Sequence, residues 1–157
     1  MKTMLVGEWM SKDVTTLQPT QRLVLAEEVL VREKITGAPV VENGRVVGVL
    51  SRSDLVRQLE LERSKTEAAC EAFVPFDSEE PFSTPLAVST AVATRWIDLE
   101  VKDAMRTNVV HISPIETIAE AAQLMVEHSI HRLPVVDGDE LVGVLSTLDV
   151  LRAVATL

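Results

Sequence analysis

Two stretches of the chain carry the residue types that a sugar-binding site needs. They are Ser51-Arg52-Ser53-Asp54 and Ser146-Thr147-Leu148-Asp149, each preceded by Gly-Val-Leu. A carboxylate can accept hydrogen bonds from both hydroxyls of a vicinal diol, which is what a ribose presents. The hydroxyl three residues earlier, at a strand end before a helix start, points the same way. The glycine, late in a strand, admits a flat ligand or another backbone at close range. Ser and Asp at this spacing also cap helices, and the sequence leaves both uses open. A further pair occurs in one half only: Ile130-His131-Arg132-Leu133-Pro134 stands where the other half has Ile35-Thr36-Gly37-Ala38-Pro39. The arginine fork donates two parallel hydrogen bonds and so suits a phosphate, although a solvated surface pair would read the same. Near Asp54 the basic residue in a position to substitute is Arg52.

Other chemistry finds no footing. His111, His128 and His131 lack metal-ligand spacing with one another or with Cys70, and neither a Gly-rich phosphate loop nor a nucleophile elbow is present. We therefore expect no enzyme, no catalytic residue and no protein-bound metal. The lone Cys70 cannot form an internal disulfide and reads as a small side chain, buried or half-buried. A net charge of −9, from 15 basic and 24 acidic residues, opposes non-specific nucleic-acid binding. Any anionic ligand must be held by a local cluster of donors. Lys2, Glu8, Lys12 and Asp13 interrupt the first residues, so no signal-peptide core exists there. The longest uncharged run, Pro81 to Thr94, is too short to span a bilayer. The expectation is a soluble, cytoplasmic protein with no membrane or nucleic-acid partner.

The elements that position these residues come as a duplication. Shifting the chain by 95 residues aligns Val6–Arg57 with Val101–Arg152 without a gap, with 17 identities in 52 positions. In each copy a short β-branched run (Asp13 to Leu17) ends at a proline turn. An amphipathic helix follows over Leu23 to Arg32, its second copy opening on the capping box Thr117-Ile118-Ala119-Glu120. Next comes a hairpin: Ala38 to Val41 and Val46 to Leu50 around Asn43-Gly44, and Leu133 to Val136 and Leu141 to Leu145 around Asp137-Gly138. Helices then start near Asp54 and Asp149. The order is strand, helix, strand, strand, helix, twice. One such unit buries too little surface to stand alone, so two should pack sheet to sheet into an α/β (α+β) body with pseudo-twofold symmetry. The repeats span 1–59 and 97–157. Between them, 60–96 is read as a linker: an extended helix from Leu55 to about Phe73, then a Pro-containing loop from Val74 to Ala93. Phe73, Phe76, Phe82 and Trp96 would cover a hydrophobic edge, or serve as an interface.

Val-x-x-x-Met, Ile-x-x-x-Pro-Val-Val and Gly-h-h-Ser-x-x-Asp, twice in one chain, resemble tandem cystathionine-β-synthase (CBS) repeats, a Bateman module. The linker lies outside the resemblance and is longer than is usual in that family. The resemblance implies a regulatory module that binds an adenosine nucleotide (AMP, ADP or ATP) in a cleft between the repeats. Mg2+ would accompany the nucleotide at most, and S-adenosylmethionine is the alternative ligand. It implies that Asp149 or Asp54 holds the ribose, helped by Ser146 or Ser51. Adenine would slot against Val144 or Val49 and meet the other repeat at Ile35-Thr36 or Ile130-His131. His131-Arg132 is similar to the phosphate-holding pair in gamma subunits of AMP-activated protein kinase. The site of Ser146, Asp149, His131 and Arg132, closed by Ile35 and Thr36, should thus bind better than that of Ser51 and Asp54. The resemblance also implies a homodimer, joined through the helices after Asp54 and Asp149, that signals to a separate effector protein. The rival expectation is a dimerisation or interaction module whose ligand site has degenerated.

Overall fold

A computed structural model describes residues 3–72 and 85–156. Its helices are α1 (Val6–Trp9), α2 (Leu23–Arg32), α3 (Arg52–Ala72), α4 (Pro85–Asp98), α5 (Val101–Ala104), α6 (Ile118–Glu127) and α7 (Thr147–Val154). Its strands are β1 (Gly37–Glu42), β2 (Arg45–Ser51), β3 (Arg132–Asp137) and β4 (Glu140–Ser146). The strands form a sheet of order β1-β2-β4-β3, with β3 antiparallel to β4. The fold class is mixed helix and sheet, as the alternating signals in the sequence predict.

The chain divides into two compact units that do not follow the two repeats. One comprises Met1–Thr16, Pro39–Val49 and Thr107–Leu157; the other comprises Leu17–Ala38 and Leu50–Arg106. The first unit combines α1 and most of the β1–β2 hairpin with the body of the second repeat, and the second combines α2, α3 and α4 with α5, the leading helix of the second repeat. In the first unit, α1 is tied down by Val6 N–H donating to Glu116 O (2.8 Å) and Gly7 N–H to Pro114 O (2.9 Å), while Ile118 N–H donates to Met4 O (3.0 Å). The second unit repeats these bonds on α5: Val101 N–H to Gln21 O (2.9 Å), Lys102 N–H to Pro19 O (2.9 Å) and Leu23 N–H to Leu99 O (2.8 Å). Such ties satisfy backbone groups that a four-residue helix cannot pair internally.

The core of the first unit gathers Val6, Ile112, Ile118, Ala121, Met125, Leu133, Val135, Leu145 and Ala153. In the second, Leu17, Leu23, Ala26, Leu30, Leu50, Leu55, Val101 and Ala104 are buried. Helical stripes at three- and four-residue spacing supply the members on α2 and α6, while Leu133 and Val135 alternate along β3 and Leu50 and Leu145 come from β2 and β4. The capping box at Thr117 forms as its sequence predicts, with Glu120 N–H donating to the Thr117 hydroxyl and the Glu120 carboxylate accepting from Thr117 N–H.

Several expectations are corrected. The two hairpins do not pack sheet to sheet but join edge to edge in one sheet through β2 and β4. The β-branched run that opens each copy is no strand: in the second copy it reduces to a single parallel bridge, Ile112 to Val135, because Pro114 turns the chain away two residues later. The second hairpin turns at Gly138-Asp139 rather than Asp137-Gly138, with Asp137 facing Glu140. Gly138 supplies a positive φ of 63°, whereas the first hairpin takes positive φ at both Asn43 (51°) and Gly44 (81°), the type I′ pattern. Short helices α1 and α5 were not anticipated. Residues 85–93, read as loop, are helical: Pro85 opens α4, where a missing N–H costs nothing, and Val88 and Val92 bury one face of it. The rest of the expected loop, with Phe76 and Phe82, lies outside the described residues, as does Phe73 at the end of the expected helix. Trp96 is half-buried on α4.

Helices α3 and α4 are pinned by Glu62, which is 1% exposed. Its carboxylate meets Arg95 Nε at 2.8 Å and Lys65 Nζ at 2.9 Å, and Gln58 Nε2 donates to it at 3.1 Å. Burial works to raise its pKa, but Lys65 and Arg95 outweigh burial and hold it below the usual range.

Candidate functional site

At the β4–α7 junction, Ser146 ends the strand and caps the helix. The Asp149 Oδ2 accepts from Ser146 N–H (2.9 Å) and from the Ser146 hydroxyl (2.5 Å), and Asp149 N–H donates back to Ser146 Oγ (3.3 Å). Asp149 Oδ1 accepts from Arg152, one helical turn on, at 3.1 Å. Capping is therefore one use of the Ser-x-x-Asp motif. It does not exhaust Asp149, whose side chain keeps 12% of its surface open. The register sets Arg132 directly opposite Ser146 on the neighbouring strand. His131 is exposed, and its carbonyl accepts from Thr147 N–H (3.0 Å). The residues that carry a hydroxyl, a carboxylate, an imidazole and a guanidinium thus lie at one end of the β3–β4 ladder. Ile130 is half-buried against the core of this unit.

Val144, half-buried two residues before Ser146, is bracketed by the leading segment: Ser11 N–H donates to Val144 O (2.9 Å) and Val144 N–H to Ser11 O (3.0 Å). Gly143 makes room for that segment. A Cβ there would lie 2.5 Å from Met10 Sδ and 3.0 Å from Ser11 O. The close approach that the glycine permits is made by the chain's own backbone.

The β2–α3 junction repeats the cap. Asp54 Oδ2 accepts from Ser51 N–H (2.9 Å) and the Ser51 hydroxyl (2.6 Å), and Thr36 O accepts from Arg52 N–H (3.0 Å) as His131 does from Thr147. The difference is at Oδ1, which takes Arg106 Nε at 2.7 Å as well as Arg57 at 3.1 Å. The Asp54 side chain is 2% exposed. Burial works to raise its pKa, but the bonds from Ser51 and the Arg106 guanidinium prevail and hold it below the ordinary carboxylate range. Ile35 and Val49 are half-buried, while Thr36 and Arg52 are exposed. Arg52 forms none of the ion pairs found at Asp54; Arg57 and Arg106 do.

Reasoning from sequence missed Arg57, Arg152 and Arg106 as carboxylate partners. The first two were available, since an arginine three residues after an aspartate on a helix meets it. Arg106, 52 residues away, left no such signal. Among the described residues no group of His, Cys, Asp and Glu is placed to hold a metal ion, and no helix is long and apolar enough to cross a membrane.

Comparison with known proteins agrees with this arrangement. The family model for the CBS domain matches residues 6–61 and again 101–156. An uncharacterized protein of Methanocaldococcus jannaschii is 30% identical over 155 residues, spanning 96% of this chain and 90% of the relative. Among solved structures, CBSX2 of Arabidopsis thaliana in complex with AMP superposes with a TM-score of 0.71 at 26% identity, covering 98% of this chain and 97% of that one. The CBS domain pair of protein MJ0100, in complex with 5′-methylthioadenosine and S-adenosyl-L-methionine, shares the fold with a TM-score of 0.67 at 20% identity, over 99% and 98% of the two chains. CBS-pair proteins are generally regulatory binding modules. With a match at both repeats, this chain belongs to the CBS-domain family.

Proposed function

We propose that the protein is a regulatory module that binds an adenosine nucleotide at Ser146 and Asp149 and relays its occupancy to a partner protein. The observation that carries the reading is the junction of β4 and α7, where an incompletely covered Asp149 carboxylate stands beside Ser146, with Arg132 in register opposite. The carboxylate takes the ribose hydroxyls, Val144 lies against the adenine, and Arg132 with His131 takes the phosphate. A phosphate-holding pair favours AMP, ADP or ATP over S-adenosylmethionine, and the AMP complex of CBSX2 supports the same choice. A divalent cation, where one takes part, enters with the phosphates. Ile35 and Thr36 belong to the other unit, and the proposal rests on the residues of the one unit.

The module acts as a homodimer. Leu148, Leu151 and Val154 expose 54%, 64% and 51% of their surface at three-residue intervals on α7, an apolar stripe suited to a helix partner. A ligand can shift such an assembly only by its differential affinity for two arrangements, typically about 1–3 kcal/mol. Native mass spectrometry of the protein mixed with AMP tests both parts: the expected species is a dimer carrying nucleotide, with the nucleotide lost in Asp149→Ala. Failure of AMP, ADP and ATP alike to bind the wild type would overturn the ligand reading in favour of an interaction module, and a monomer would overturn the assembly.

A further inference from the structure

Resting on that reading, we infer that Arg106 closes the Ser51–Asp54 site from within the chain, so that nucleotide is taken at the Ser146–Asp149 site alone. The two sites differ in what faces the second carboxylate oxygen. A carboxylate offers about four acceptor positions, two on each oxygen. At Asp54, Ser51 N–H and Oγ donate to Oδ2, while Oδ1 accepts a hydrogen bond from Arg106 Nε and is ion-paired with Arg57 at 3.1 Å, so two cations crowd it. At Asp149 the same two bonds from Ser146 fall on Oδ2, and among the described residues Oδ1 meets one cation, Arg152. A diol arriving at Asp54 must expel a guanidinium from a side chain that is 2% exposed, whereas Asp149 is 12% exposed.

The asymmetry traces to one position of the duplicated leading segment. The 95-residue shift that superposes the repeats places Arg106 on Ser11, whose side chain is too short to reach a carboxylate across the junction. A second difference points the same way. Gly37 occupies the place of Arg132, and a Cβ on it would lie 3.0 Å from Leu50 O and 3.3 Å from Ser51 Cα. The Asp54 site thus lacks a phosphate donor and has a cation in place of a ligand. A pair that must open before binding weakens apparent affinity by the fraction of time it is open.

Calorimetric titration with AMP distinguishes the outcomes. Wild type should bind one nucleotide per chain, Arg106→Ser two, and Arg106→Lys, which keeps the cation, one. Asp149→Ala should bind none, and Arg106→Ser with Asp149→Ala should regain one. Two sites in the wild type, one site in Arg106→Ser, two in Arg106→Lys or retained binding in Asp149→Ala each overturn the closure while leaving nucleotide binding intact. Weaker binding in Arg106→Ser would make Arg106 a ligand contact and overturn it as well. Absence of binding in every variant removes the nucleotide reading itself. Asp149→Ala keeps the test decisive should Arg106→Ser not fold.

Discussion

The junctions at Asp54 and Asp149 descend from one duplicated motif and share the same cap, yet they differ in what the second carboxylate oxygen does. At Asp54 it anchors Arg106, from the segment that leads into the second repeat; at Asp149, among the described residues, it meets an arginine of its own helix. A shared local motif therefore does not imply identical chemistry. A Ser-x-x-Asp motif fixes the cap because its partners lie within four residues. Whether the carboxylate remains open to a ligand is decided by whatever the fold brings from a distance. One junction has become a fastener, and the other keeps the capacity to bind.

The sharpest way to break the comparison is to transplant the fastener. Ser11→Arg puts at the first unit's leading segment the side chain that its counterpart carries, next to Val144 and two residues from Ser146. If the distinction lies at this position, AMP affinity should fall at least about tenfold, which corresponds to about 1.4 kcal/mol. Affinity unchanged in this variant would mean that the geometry around Asp54, and not the arginine, makes the difference.

Stability and binding should separate between the two aspartates. Asp54→Ala removes a cap and the buried carboxylate that pairs with Arg57 and Arg106, at a cost of about 2 kcal/mol. Asp149→Ala removes a cap and a single, more exposed pair, at a cost of about 1 kcal/mol. Urea unfolding of the two variants checks the order. The same proteins titrated with AMP should show the reverse ranking, with binding retained in Asp54→Ala and lost in Asp149→Ala.

Much of this was legible in the sequence, and the limits are physical. The duplication, the bounds of α2 and the Thr117 capping box follow from periodicity and from side chains acting within a turn of themselves. The first hairpin was readable because Asn43-Gly44 suits two positive φ values; the second was misplaced by one residue because a single glycine fits either position. Helix α4 was hidden by Pro85, since a proline breaks a helix in its interior but can open one at its first position. The exchange of leading segments between repeats had no local signature at all. Without it, Arg106 could not be assigned to Asp54, and the two junctions read as equals apart from His131-Arg132.

The smallest effect isolates the charge at Asp54. Its pKa is held below the ordinary aspartate value of about 3.9. A group depressed in the folded state contributes stability above its unfolded pKa and loses it as pH falls through the folded one. The contribution of the Arg106 pair should thus be complete at neutral pH and fade below about pH 4, where Asp54 takes a proton and the pair has nothing to hold. Unfolding midpoints of wild type and Arg106→Ser should differ at pH 7 and approach each other at acid pH. A gap that persists unchanged into acid would show that Arg106 acts through the packing of its side chain and not through the carboxylate, and the account of a charge-locked junction would then fail.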